Sequence, residues 1–375
     1  MNLICLKGYS LNIAFKASFR HASAERSHTQ TLWVEARTHT HTGYGEGCPR
    51  EYVTGETLAS AHSFVARHEA QWREHVTNIE SLRGWIGANE QEIDRHPAAW
   101  CAAEMALLDA LGKESNQPIE ALLNLPPLPG SFRYSAVLGD ASPAAFEALL
   151  DRYLKTGFDQ FKIKLSGDLA SDREKVRLLT AAGLEPSQVR ADANNLWASA
   201  ALATEHLRAL EFPFWALEEP LKTGDYEGLQ HLARALSSRI ILDESFQRTA
   251  QLDALQGPPH QWILNLRLSK LGGLIRSLAA AEHARKRGLS IICGAHVGET
   301  SLLTRAALTV AAQAQDALLA QEGAVGTHLL AQDVTAPPLM FGKNGILRIE
   351  DFDFSPHPGL GLDIRVPPSA LSSTV

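Results

Sequence analysis

The sequence predicts two unlike parts, an N-terminal α+β region and a longer region of repeated βα units closed into a parallel barrel. Three observations carry this. Seven short apolar runs, at 133–138, 158–165, 189–192, 214–218, 240–243, 262–266 and 290–293, start 22 to 31 residues apart. Amphipathic stretches such as 171–182 and 199–210 fill the gaps, as strand–helix units require. Before them, 3–13 and 31–37 alternate apolar and polar residues, which suits a half-buried antiparallel sheet. Between the two parts lies Leu125-Pro-Pro-Leu-Pro-Gly130, whose three prolines stop a helix and make the best linker in the chain.

Taken in order, 38–44 is expected to be a hairpin turn into a returning strand. The polar stretch 16–30, rich in Arg and His, is expected to be an exposed loop, and 47–56 a second loop. Helical spacing fills 57–74 and 97–123. Gly43-x-Gly45-x-Gly47 is no nucleotide loop, since Pro49 follows and no helix opens there. An open Rossmann sheet is disfavoured because no Gly-rich fingerprint follows the first strand of the period. Strand character at 347–366 lies outside the period and is expected to pack back on the first part.

Composition narrows the function. The 375 residues include 35 Lys+Arg and 42 Asp+Glu, a formal charge of −7, which argues against a duplex nucleic-acid binder. No apolar run is long enough to span a membrane, and the N-terminus reads as a strand and not a signal peptide. Cys5, Cys48, Cys101 and Cys293 form no CxxC pair, so zinc-finger and disulfide-framework readings fail. A cytoplasmic enzyme acting on a small molecule is the expectation.

The chemistry gathers at the ends of the predicted strands, which is where a βα barrel keeps its active site. Asp192, Glu218 and Asp243 close three successive strands at nearly equal spacing. Three converging carboxylates repel unless a cation holds them, and an all-oxygen set suits Mg²⁺ or Mn²⁺. An acid that merely caps the next helix is the alternative for each one singly. One strand earlier, Lys162 and Lys164 stand two residues apart and so share a face. Lys164 is a candidate base, with Lys162 as the charge that tunes it and touches substrate.

Lys162-x-Lys164, Asp192-x-Asn194, Glu218-Glu219-Pro220 and Asp243-Glu244-Ser245 together resemble the enolase superfamily, in its muconate lactonizing enzyme/mandelate racemase branch. Gly43–Gly47 and Pro358–Asp363 add to the likeness, which covers nearly the whole chain. The resemblance implies a modified (β/α)₇β TIM barrel over 131–322, an α+β capping domain over 1–130, and a segment, 323–375, returning to the cap. It also implies Mg²⁺ on Asp192, Glu218 and Asp243, and removal of the proton α to a substrate carboxylate through a metal-stabilised enediolate. Homo-oligomers are common among such enzymes.

The sixth strand departs from the family pattern. Arg267 stands in Asn265-Leu-Arg267-Leu-Ser-Lys270, where relatives place a second lysine acid/base. A guanidinium keeps its proton, so Arg267 is a poor base and a better electrostatic support. This favours one-base chemistry by Lys164, an elimination or cycloisomerisation. The alternatives are a two-base racemase or epimerase of an N-acylamino acid or dipeptide, with His296 or Lys270 opposite Lys164, and a non-catalytic binding protein of the same fold. Asn194, Glu244 and Glu299 are expected substrate contacts. Arg20, His21, Arg26, Arg50 and Tyr52, on the capping loops, are candidates to grip a second polar group.

Overall fold

A computed structural model of the chain describes residues 1–21, 24–352 and 357–372, with the side chains of residues 20, 21, 24 and 25 outside the described set. The N-terminal part begins with β1 (Cys5–Leu11), β2 (Ala14–His21), β3 (Ala24–His28), β4 (Thr31–Arg37) and β5 (Thr42–Gly47). Helices α1 (Glu51–Thr54), α2 (Leu58–His75), α3 (Ile79–Ala88), α4 (Glu90–Arg95), α5 (Pro97–Glu114) and α6 (Ile119–Leu122) follow. β1, β4 and β5 pair antiparallel, and Leu32, Trp33, Val34 and Ala36 of β4 are fully buried.

The glycines of β5 explain how the sheet meets its main helix. Alternate strand residues share a face and recur about every 6.8 Å, close to the ~6 Å rise between helix residues four apart. Gly43, Gly45 and Gly47 accordingly lie against Ala106, Ala102 and Ala98 of α5. A Cβ built on each glycine would stand 2.1, 1.9 and 2.0 Å from those residues' carbonyl oxygens. Strand backbone and helix backbone are in direct contact there, and only glycine permits it.

Residues 16–30, expected as an exposed loop, instead form the β2–β3 hairpin, with Phe19 opposite Arg26 and His21 opposite Ala24. It is a two-stranded sheet of its own. Of its described side chains, Phe15 alone packs against the core, so the hairpin shows little alternation of polarity, which is why the periodicity missed it.

The second part contains β6 (Ser131–Arg133), β7 (Ala136–Leu138), β8 (Phe161–Lys164), β9 (Val189–Asp192), β10 (Ala216–Glu218), β11 (Arg239–Leu242), β12 (Trp262–Leu266), β13 (Ser290–Cys293) and β14 (Leu318–Gln321). Its helices are α7 (Pro143–Thr156), α8 (Leu169–Ala181), α9 (Ala200–Ala209), α10 (Tyr226–Leu236), α11 (Leu268–Leu271), α12 (Leu274–Lys286) and α13 (Ser301–Ala314). Strands β7 to β14 form one curled parallel sheet in chain order. Ser135 N–H donates to Gln321 O at 2.8 Å between its two edges. β15 (Ile346–Arg348) pairs with β6, and β16 (Leu371–Ser372) with β1, so the chain ends on the N-terminal sheet.

Strand periodicity builds the barrel interior in layers. Ala216, Ile241, Ile263 and Ile292 form an apolar cluster with no exposed surface. Two residues further along the same strands stand Glu218, Asp243, Asn265 and Gly294. Alternation therefore sets a polar layer on top of the apolar one, at the C-terminal end. No helix among the described residues is long and apolar enough to cross a membrane.

Candidate active site

Strand register brings the acids together. Lys164 pairs with Asp192 and Asp192 with Glu218, while Glu218 pairs with Ile241, two residues before Asp243. All three carboxylates are fully buried. Glu219, in left-handed backbone (φ 39°), turns back to hold the next strand end. Its Oε1 accepts from Asp243 N at 2.7 Å and Ser245 N at 2.8 Å, and its Oε2 from Ser245 Oγ at 2.9 Å.

Both lysines reach this cluster, in different ways. Lys164 Nζ lies 2.5 Å from Asp192 Oδ2 and donates to Asn194 Oδ1 at 2.8 Å. Asn194 makes that contact from left-handed backbone (φ 45°), which Asn tolerates. Asn194 therefore orients Lys164 as well as facing the cavity.

Lys162 was expected to tune its neighbour and touch substrate, but it is held by three carboxylates. Its Nζ sits 3.1 Å from Asp192, 3.0 Å from Glu218 and 2.9 Å from Glu322. Burial opposes the Lys162 charge, yet those acids outweigh it and raise its pKa above the ordinary lysine value.

Glu322 escaped the sequence reading. Its Oε1 takes a 2.7 Å bond from Arg190 Nη2, while its Oε2 takes Lys162. Burial alone would raise it, but Lys162 and Arg190 hold it down to about 2. A signal existed, because β14 starts 28 residues after β13 and Glu322 follows its last residue, as the other acids close theirs.

The remaining candidates divide. A cavity of about 480 Å³ opens above the carboxylates, lined among others by Lys162, Lys164, Asn194, Glu244, Arg267, His296, Glu322 and Tyr52. Arg267 Nη2 lies 2.5 Å from Asp243 and 3.5 Å from Glu218. Burial opposes its charge, but Asp243 and Glu218 prevail and its pKa is raised, so it is no base. Lys270 is no base either. Its ammonium donates to Asp243 O at 2.6 Å, Asp243 Oδ1 at 2.9 Å and Asn265 O at 2.9 Å, and is fully buried.

His296 faces the cavity with both ring nitrogens buried and without a hydrogen-bond partner. Burial, then the Arg267 and Arg50 guanidinium groups, lower its pKa well below the ordinary imidazole value, so it stays neutral. Glu299 lies behind it and not in the cavity wall. Its Oε1 accepts His296 N–H at 2.7 Å and sits 3.3 Å from Nδ1.

Arg50, expected to grip substrate, is 1 % exposed and donates to the carbonyls of Gln30, Pro49, Thr29 and Val297 at 2.9 to 3.1 Å. It ties the β3–β4 connection to the barrel. Tyr52 lines the cavity beside Arg26. The side chains of Arg20 and His21 lie outside the described residues.

Residues 145–367 match the family model described as enolase C-terminal domain-like. The chain belongs to the enolase superfamily. It is an enzyme of that superfamily's mandelate racemase/muconate lactonizing enzyme branch, in the isomerase or lyase class. Among relatives, an L-Lys-D/L-Arg epimerase of Methylococcus capsulatus is 28 % identical over 321 residues, 85 % of this chain and 87 % of its own. A hydrophobic dipeptide epimerase of Enterococcus faecalis is 28 % identical over 283 residues, 72 % of this chain and 76 % of its own. The crystal structure of a Methylococcus capsulatus dipeptide epimerase, complexed with Mg and the dipeptide L-Arg-D-Lys, matches with a TM-score of 0.79 at 27 % identity, covering 96 % of this chain and 99 % of that one.

The superfamily's divalent ion fits the residues present. Burial and the adjacent Asp192 carboxylate push Glu218 up to about 8, and burial with Asp243 and Glu219 pushes Glu244 to about 8. These acids crowd too closely to ionise together without added positive charge. Glu244 Oε2 and Asn265 Oδ1 are buried oxygens with no hydrogen-bond donor. Unsatisfied hard oxygen atoms around paired carboxylates are what Mg²⁺ accepts.

Proposed function

We propose that the protein is a Mg²⁺-dependent racemase or epimerase of an N-acylated amino acid or dipeptide, with Lys164 and His296 moving the α-proton on opposite faces. This reverses the order suggested by the sequence, where Arg267 favoured elimination by a single base. One observation carries it. The buried His296 imidazole has no hydrogen-bond partner on either ring nitrogen and lines the same cavity as Lys164. One-base chemistry leaves such a group without a task.

Barrel topology supports the opposition of the two groups. Lys164 ends the second strand of the sheet and His296 follows the seventh, three strands away one way round and five the other. A carbon between them presents one face to each. Bound at Asp192, Glu218 and Asp243, Mg²⁺ would supply positive charge to the substrate carboxylate and so acidify the adjacent C–H. Lys164, held by Asn194, takes the proton from one enantiomer. His296 takes it from the other. Because its surroundings disfavour the imidazolium, His296 gives the proton back readily in the reverse direction. Arg267 keeps its protons and donates hydrogen bonds to the charge that builds during transfer. The names of the epimerase relatives support the same reading.

Polarimetry paired with mass spectrometry tests it. Enantiopure N-acylated amino acids and L,L-dipeptides incubated with enzyme and Mg²⁺ are expected to lose or change rotation at constant mass. Loss of water or of an acyl group, or a new ring without epimerisation, would return the account to elimination or cycloisomerisation.

A further inference from the structure

Cys48 has no part in the chemistry above, yet it lies beside His296. It directly follows β5, and its N–H donates to Ser269 Oγ at 2.6 Å. Its thiol is in no disulfide. His296 and Glu299 come from the connection between β13 and α13, in the other part of the chain. Cys48 Sγ, a ring nitrogen of His296 and a carboxylate oxygen of Glu299 all lie within 4.8 Å of one another. The three residues are 1 %, 3 % and 8 % exposed. Neither His296 nitrogen has a hydrogen-bond partner, although Nδ1 stands 3.3 Å from Glu299 Oε1. Two ligands of a tetrahedral zinc ion are spaced in this way: atoms held ~2.0–2.2 Å from the metal at the tetrahedral angle are about 3.4 Å apart.

We infer that Cys48, His296 and Glu299 form a second metal site, which takes Zn²⁺ or an ion of similar preference. One thiolate, one imidazole and one carboxylate suit zinc, whereas Mg²⁺ prefers oxygen alone. His296 lines the cavity, so an ion on its ring is reached from there. Zinc–sulfur bonds are ~2.3 Å long, so Sγ closes to about 3.6 Å from the other donors. Starting from 4.8 Å or less, that is a movement of about 1.2 Å at most. Binding forms a metal–sulfur bond and releases the Cys48 thiol proton to solvent. Thiolate and carboxylate then cancel the ion's two charges. That balance matters, because Arg267, Arg50, Lys270 and Arg26 all bring positive charge to the His296 ring. The site itself stands apart from the racemase reading. Its consequence rests on that reading: an ion on the ring occupies the lone pair that accepts the substrate proton, so zinc inhibits an enzyme that magnesium activates.

Co²⁺ is the probe, because a cobalt–thiolate bond gives an intense near-ultraviolet band. Added to enzyme saturated with Mg²⁺, one equivalent of Co²⁺ is expected to produce that band and one equivalent of Zn²⁺ to remove it. Cys48→Ser should lose the band altogether, with a thermal melt to show that the variant is folded. No band in wild type, or a band that survives in folded Cys48→Ser, would overturn the site. If Cys48→Ser does not fold, anomalous scattering from a zinc-soaked crystal of wild type decides. A peak bonded to Cys48 Sγ upholds the site, and a peak elsewhere or none overturns it. At saturating Mg²⁺, zinc should also slow racemisation of an N-acylated amino acid by about tenfold or more. Undiminished racemisation with the site filled would take His296 out of the reaction and leave the metal site standing. If no such compound racemises, the racemase reading fails for it, and the spectra and the crystal still decide the site.

Discussion

Lys164→Gln lowers racemisation by about 10³-fold or more, within the range that a positioned acid/base contributes. His296→Gln is expected to do the same. The informative part is their asymmetry. With one base removed, the other still takes the α-proton from the enantiomer it faces and returns a solvent deuteron to the same side. Each variant therefore exchanges the α-proton of one enantiomer in D₂O, without inversion, and the two variants choose opposite enantiomers. Asp192 keeps Lys162 at 3.1 Å when Lys164 is gone. Thermal melts of the two variants check that each is folded at the assay temperature before exchange is read. Exchange from the same enantiomer in both would place the two groups on one side and contradict the opposed-base arrangement.

Glu322→Leu has the largest expected effect on stability. The carboxylate answers two fully buried cations, Lys162 at 2.9 Å and Arg190 at 2.7 Å. Removing one member of a buried ion network leaves uncompensated charge and costs about 3–5 kcal/mol. For a chain of 375 residues, whose unfolding entropy is ~2.1 cal/mol/K per residue, that lowers Tm by roughly 4–6 °C. Asp159→Ala is the control, since it breaks an exposed pair with Arg133 and should leave the melt within about a degree. A Glu322→Leu melt equal to wild type would mean that solvent, not Glu322, carries these charges.

Much of the site was legible before any coordinates because strand-end acids recur with the βα period. Asp192, Glu218 and Asp243 follow apolar runs at regular spacing, and the parallel register converts that spacing into proximity. Lys162 and Lys164 were legible as a same-face pair. Their division of labour was not, since Glu322 and Arg190 come from other strands. β14 is short, reads Leu-Leu-Ala-Gln and is only partly buried, so its apolar signal was weak and Glu322 went with it. Arg50 misled for a related reason. Its charge suggested substrate, but its partners are backbone carbonyls as far away in sequence as Val297, and backbone acceptors leave no mark in composition. The carboxylate beside His296 is Glu299, three residues on in the same loop, which had been expected as a substrate contact.

The most direct test of the opposed-base account follows the α-hydrogen by proton NMR in D₂O, on wild-type enzyme with Mg²⁺ and with EDTA. The substrates are the separate enantiomers of one N-acylated amino acid. With Mg²⁺, both enantiomers should lose the α-proton signal and both should yield the opposite enantiomer carrying deuterium. With EDTA neither should exchange. Exchange of a single enantiomer with no inversion would contradict the account and restore Lys164 as the sole base.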